Sequence, residues 1–166
     1  MTTRPTTDEP QVRIERTFDF PRPVVWGAWT RPERLARWFA PRGCTLTFER
    51  IDVRKGAGFH SRLEVPDFGD CWTVAEIVEL VPPERLTFLW RIADAKGEAV
   101  SPQSQGHDPE WPFETRVTVT LEDLGPRTRL VLTQTVSEAL AKRTGAHPSW
   151  LQMLDILGET LASGAP

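Results

Sequence analysis

Few residues in this chain can do acid–base, nucleophilic or metal chemistry. There are three histidines, His60, His107 and His147, and two cysteines, Cys44 and Cys71. A zinc-type site needs three or four converging ligands. The histidines stand far apart, and His60 falls on the polar side of an alternating stretch. Only His107-Asp108 with His147 offers a pairing, so no metal and no cofactor is expected. Cys44 and Cys71 read as free thiols of a cytoplasmic protein rather than as a disulfide. Gly56-Ala57-Gly58 lacks a phosphate-loop pattern and reads as strand punctuation. No catalytic residue is assigned, and the chain reads more as a binding protein than as an enzyme.

The informative polar residues are those interrupting apolar faces. Arg16 stands between Ile14 and Phe18, Ser61 between Phe59 and Leu63, and Glu76 between Val74 and Val78. Thr115 precedes Val117, and Gln134 lies between Leu132 and Val136. A buried charge is costly unless paired. Ligand pockets are mostly apolar with a few placed polar groups. A pocket with polar handles is one reading; sheet margins or a structural Arg16–Glu76 bridge is the other. The seven Trp and eight Phe, against no Tyr, fit either a bulky core or an aromatic-lined cavity.

The elements that would position these residues follow from periodicity. Val12 to Phe20 alternates as a half-buried strand, stopped by Pro21 and Pro23. Val24 to Trp29 suits a short buried helix, with Trp26 and Trp29 packing it onto a sheet. Thr30 is placed to cap a second helix whose first turn holds Pro32 and Glu33. Trp38 and Phe39 at its end would close one end of the pocket. Six further strands follow, with Leu46 and Phe48 marking the first of them. Phe59, Leu63 and Val65 mark the next, and Trp72 to Leu80 the one after. Leu86, Phe88, Trp90 and Ile92 mark the fifth strand of the chain. Phe113, Val117, Val119 and Leu121 mark the sixth, and Leu130, Leu132 and Val136 the last. This phasing puts Phe59, Trp72, Phe88, Trp90 and Phe113 on one inner face.

Helical spacing returns with Trp150, Met153, Leu154, Leu157 and Leu161, a stripe able to cover that face. Ser137 to Arg143 reads as a separate helical turn, broken at Gly145. Between strands five and six, Ala93–Pro112 is long, rich in Gly and Pro, and aperiodic. Such a segment inside a compact domain is usually functional or disordered.

The 166 residues suit a single domain, taken as 11–162 after a frayed tail over 1–10. Net charge is −3 with no basic block, so nucleic acid is not an expected partner. No stretch approaches the roughly 18 apolar residues of a membrane span. No secretion signal precedes the first strand. Together these point to the cytoplasm and away from a membrane.

The segment FPRPVVWGAWTRPERLARWFAP resembles the opening of the START-like (SRPBCC) proteins related to the activator of heat-shock-protein-90 ATPase. The matching residues are Val25-Trp26, Thr30, Pro32, Glu33, Leu35, Trp38-Phe39 and Pro41. Gly56-Ala57-Gly58-Phe59, ELVPPERLTFLW over Glu79–Trp90, and Thr128–Val136 followed by Ser149-Trp150 to Leu161 are also similar to family motifs. Ala57 and Ser149 replace expected glycines, and Ala93–Pro112 is outside the pattern.

The resemblance implies an α+β helix-grip fold: a seven-stranded curved antiparallel sheet around a long C-terminal helix, with two short helices after the first strand. It supports three functions. The first is binding of a small hydrophobic ligand between sheet and helix, through Arg16, Trp38, Phe39, Phe59, Ser61, Trp72, Glu76, Phe88, Trp90, Phe113, Gln134, Trp150, Met153, Leu154 and Leu157. The second is a chaperone-type interaction module in a stress response, with a chaperone or a second copy of the chain as partner. The third is a cyclase or dehydratase using Arg16, Glu76 and Gln134; no His or Cys is expected clearly on the inner face.

Overall fold

A computed structural model describes residues 9–164. The expected frayed tail over 1–10 therefore lies outside the described residues except for Glu9 and Pro10. The strands are β1 (Gln11–Phe18), β2 (Thr45–Ile51), β3 (Gly58–Val65), β4 (Gly69–Val81), β5 (Arg85–Ala93), β6 (Glu114–Asp123) and β7 (Thr128–Ser137). Two short helices, α1 (Arg22–Thr30) and α2 (Pro32–Leu35), follow β1. After β7 come α3 (Glu138–Thr144) and the long α4 (Ala146–Ala162). The sheet order is β1-β7-β6-β5-β4-β3-β2, and each neighbouring pair is antiparallel. This is the expected helix-grip architecture.

Helix α4 forms because its apolar residues recur every three or four positions. Trp150, Met153, Leu154 and Leu157 are buried, and they meet the sheet face carrying Val117, Val119, Leu130 and Leu132. Each fully buried residue of this size contributes about 1.5–3 kcal/mol. Gly145, at φ 91°, ends α3 and starts α4 in the left-handed conformation that glycine adopts freely. Ser137 caps α3 by accepting a hydrogen bond from the Leu140 N–H. Thr30 does not cap α2 as expected. Its hydroxyl donates to Trp26 O at 2.8 Å inside α1, and Arg31 occupies the cap position.

The phase of β4 also differs from the expectation. Cys71, Thr73, Ala75 and Ile77 share a face with Phe59 and Ser61 of β3 and Phe88 and Ile92 of β5, whereas Trp72, Val74 and Glu76 lie on the other face. A one-residue slip exchanges the faces of a strand. Both faces of β4 carry apolar residues, and a bulge between Ile77 and Glu79 interrupts the alternation. The outer face explains His60 as well. It was expected in solvent, but it is 7% exposed. Its ring packs on Trp72 at 5.1 Å, its Nε2 lies 3.1 Å from Asp94 O, and Gly97 passes over it.

The long segment after β5 is folded. Ala93 bridges Ala99, and a 3-10 turn spans Pro102–Gln105. The Gln103 side-chain amide donates to the carbonyls of Asp108 (2.9 Å), Pro109 (3.3 Å) and Trp111 (3.1 Å). Arg143 of α3 holds the same segment from outside, 3.1 Å from Asp108 and 3.5 Å from Glu110.

Candidate ligand cavity

The aromatic residues divide the space between sheet and helix into a filled half and an open half. In the filled half, Phe59, Phe88, Trp29 and Leu35 surround a void of about 20 Å³. Phe39, Trp90 and Trp150 form the partition. Phe39 stacks on Trp90 at 5.6 Å, and Trp150 lies 5.8 Å from Trp90 and 6.1 Å from Phe39. Phe39 and Trp90 also touch the filled half, through Phe59 and Phe88 respectively. Beyond the partition is a cavity of about 410 Å³. This falls within the range of roughly 300–1,000 Å³ typical of small-molecule sites.

Each wall comes from a different part of the chain. Ser61, Leu63 and Val65 of β3 and Cys71 and Thr73 of β4 line one side. Thr115 of β6 and Gln134 of β7 continue the sheet wall. Met153 and Ser149 of α4, with the α3–α4 junction at Gly145, lie opposite. Phe68 from the β3–β4 turn and His107 and Trp111 from the long segment complete the lining.

Polar groups are few and fixed. Gln134 is 2% exposed. Its Oε1 accepts from the Trp150 indole at 2.9 Å, and its Nε2 donates to the Thr115 hydroxyl at 3.1 Å. The Ser61 and Thr73 hydroxyls are 2.8 Å apart, so one donates to the other and one O–H remains for a further acceptor. The Trp90 indole N–H is buried with no hydrogen-bond partner among the described residues. A buried donor without a partner costs about 1–3 kcal/mol.

Cys71 Sγ lies 3.7 Å from His107 Nε2, and the His107 ring packs on Phe68 at 5.5 Å. Burial pushes the Cys71 thiol up to about 11, with a smaller contribution from Cys44. Burial also lowers the His107 imidazole from its usual value. Both shifts favour neutral forms, so at neutral pH the pair is a thiol facing a neutral imidazole. Among the described residues, no group of three or more His, Cys, Asp or Glu is placed to hold a metal.

Of the residues singled out by sequence, Phe39, Ser61, Trp90, Gln134, Trp150 and Met153 line the cavity. Trp38, Phe59, Phe88, Leu154 and Leu157 are buried in the packed core beside it instead. Trp38 donates its indole N–H to Ala28 O at 2.9 Å. Trp72 and Glu76 lie on the outer face through the phase of β4; Arg62 sits 5.8 Å over the Trp72 ring, and Glu76 is exposed. Phe113, just ahead of β6, is 51% exposed. Arg16 pairs with Asp155 of α4 at 2.7 Å rather than with Glu76, tying the edge strand to the helix. Sequence reasoning missed Cys71 and Thr73 because of the β4 phase. It missed His107 because the long segment has no period. The one signal there was Trp111, a large apolar residue in an otherwise polar stretch.

No helix among the described residues is long and apolar enough to cross a membrane. A comparison with curated proteins gives no significant match. Solved structures match over nearly the whole chain. A protein from Arthrobacter aurescens is 23% identical with a TM-score of 0.77, covering 92% of this chain and 86% of its own. One from Staphylococcus epidermidis is 22% identical with a TM-score of 0.76, covering 96% and 94%. The AHSA1 protein of Silicibacter pomeroyi is 17% identical with a TM-score of 0.72, covering 93% and 99%. These likenesses establish the shared helix-grip fold. Residues 19–162 match the profile of the family described as Activator of Hsp90 ATPase homolog 1-like protein, and the chain belongs to that family.

Proposed function

We propose that residues 11–162 act as one cytoplasmic binding unit that takes up a small apolar molecule carrying a hydrogen-bond acceptor. The observation behind this reading is the cavity of about 410 Å³, whose sheet wall carries the Ser61–Thr73 hydroxyl pair with one O–H left for an acceptor. An apolar body would cover the aromatic partition, and a carbonyl or ether oxygen would accept that O–H. The Gln134–Thr115 pair supplies a further polar contact. Of the earlier candidates for a charge clamp, only Gln134 borders the space, which weakens the cyclase or dehydratase reading. The chaperone-type alternative, with a stress-response role, rests on the family match.

Thermal shift with a panel of apolar compounds tests the proposal. A ligand at one hundred times its Kd stabilises by about 2.7 kcal/mol. It should also change Trp fluorescence, since Trp90, Trp111 and Trp150 border the cavity. Ser61→Phe should occupy the space and abolish both responses while the protein stays folded. A panel of fatty acids, sterols and polycyclic aromatics that gives no shift at all would defeat the ligand reading and favour the partner-protein one.

A further inference from the structure

Cys71 and His107 are brought together by tertiary structure alone. One opens β4 and the other lies in the long segment before β6, yet Sγ and Nε2 are 3.7 Å apart at the cavity wall. The His107 backbone is anchored by its N–H on Pro102 O at 3.1 Å, and its ring rests on Phe68. The sulfur is thus held against a base in an apolar space. On the same face, Thr73 stands one strand repeat further, about 7 Å along. Its hydroxyl pair with Ser61 keeps one O–H available beside the thiol.

We propose that Cys71 and His107 form a covalent capture site for apolar α,β-unsaturated carbonyl compounds. The inference rests on the cavity reading, since such a compound must first enter. The sulfur bonds to the β-carbon while the carbon–carbon π pair moves toward the carbonyl, giving an enolate. The thiol proton passes to His107 Nε2 and is then returned to the α-carbon, leaving a neutral thioether. Nothing is oxidised or reduced, and no further reactant is needed. The Ser61–Thr73 pair lies within reach of the developing enolate oxygen, the place where a fixed donor helps most. Holding thiol, base and electrophile together supplies the rate that a protonated thiol lacks in open solution. Selectivity therefore comes from fit: a compound that does not enter meets an unreactive thiol.

The test uses the full chain, N-phenylmaleimide as the apolar conjugated carbonyl and iodoacetamide as the small polar alkylator. Adducts are located by intact mass and peptide mapping, with Cys44 as internal control. Cys71 should react with N-phenylmaleimide at least tenfold faster than Cys44, and this preference should vanish with iodoacetamide. His107→Asn should slow capture about tenfold and remove the pH dependence that follows imidazole protonation. A reversible apolar ligand should protect Cys71. If apolar ligands raise Tm but Cys71 stays unlabelled, or is labelled equally fast in the His107→Asn protein, the capture site is wrong and the cavity reading stands. If neither thermal shift nor labelling occurs, both are overturned.

Discussion

Replacing Gln134 with Leu should expose how much the cavity wall depends on one amide. Gln134 is 2% exposed and makes two side-chain bonds, to Trp150 Nε1 and Thr115 Oγ1. Leu keeps the approximate volume and removes both. Leaving the buried Trp150 N–H unsatisfied costs about 1–3 kcal/mol, and losing the Thr115 bond about 1 kcal/mol. Greater apolarity returns about 1 kcal/mol. The net loss is about 2 kcal/mol, which lowers Tm by about 4–8 °C for a chain of this length. Urea unfolding of the ligand-free protein measures it. The specific test is a double-mutant cycle with Trp150→Phe, which has no indole N–H. In that background Gln134→Leu should cost about 1 kcal/mol less. A coupling below about 0.3 kcal/mol would refute the reasoning, because independent sites already add within that margin.

Three other outcomes are expected. Gly58→Ala should cost about 3 kcal/mol or more, because its Cβ would sit 1.8 Å from Ala75 O across the β3–β4 pair. Gly56→Ala, with open space around it but φ at +88°, should cost only about 1–2 kcal/mol; chemical denaturation of the two variants gives the comparison. Arg143→Ala should leave global stability almost unchanged, as loss of an exposed ion pair does, while amide exchange over 101–111 speeds up. Burial lowers the His107 imidazole, so the unfolded chain binds more protons than the folded one once pH falls below about 6.5. Stability should therefore be full above that value and decline beneath it, and urea midpoints from pH 8 to 5 should lose this component in His107→Asn.

The fold was legible because its signals are local and repeated. Val12, Ile14 and Phe18 alternate along β1, and Trp150, Met153, Leu154 and Leu157 keep one helical face. The site was legible only where a polar residue interrupts a clean strand, as Ser61 and Gln134 do. It failed on β4 because Trp72 and Val74 are as apolar as Ala75 and Ile77, so pattern could not say which side was inner. Phe59 and Phe88 show the same limit differently. Their face was right, but whether a face meets packing or open space depends on the opposing residues, Trp29, Leu35 and Phe39, which sequence does not pair with them. Contacts such as Cys71–His107 and Arg16–Asp155 join residues 36 and 139 positions apart, and no local rule reaches so far.

The pairing of β1 with β7 sets a condition on how the chain can be made. Val12 sits opposite Gln134, and among the described residues β7 is the only strand beside β1. While a ribosome extends the chain, β2 to β6 can zip up one hairpin at a time as each strand emerges. The first strand cannot join them. It carries Val12, Ile14 and Phe18 unpaired until β7 has left the exit tunnel. At about 5–20 residues per second, the roughly 120 intervening residues take on the order of 6–24 s to synthesise. Throughout that interval an apolar β segment is available to chaperones or to another nascent chain. Nascent chains stalled before β7 should therefore be held open at their N-terminus, and should close only when Thr128–Ser137 is released.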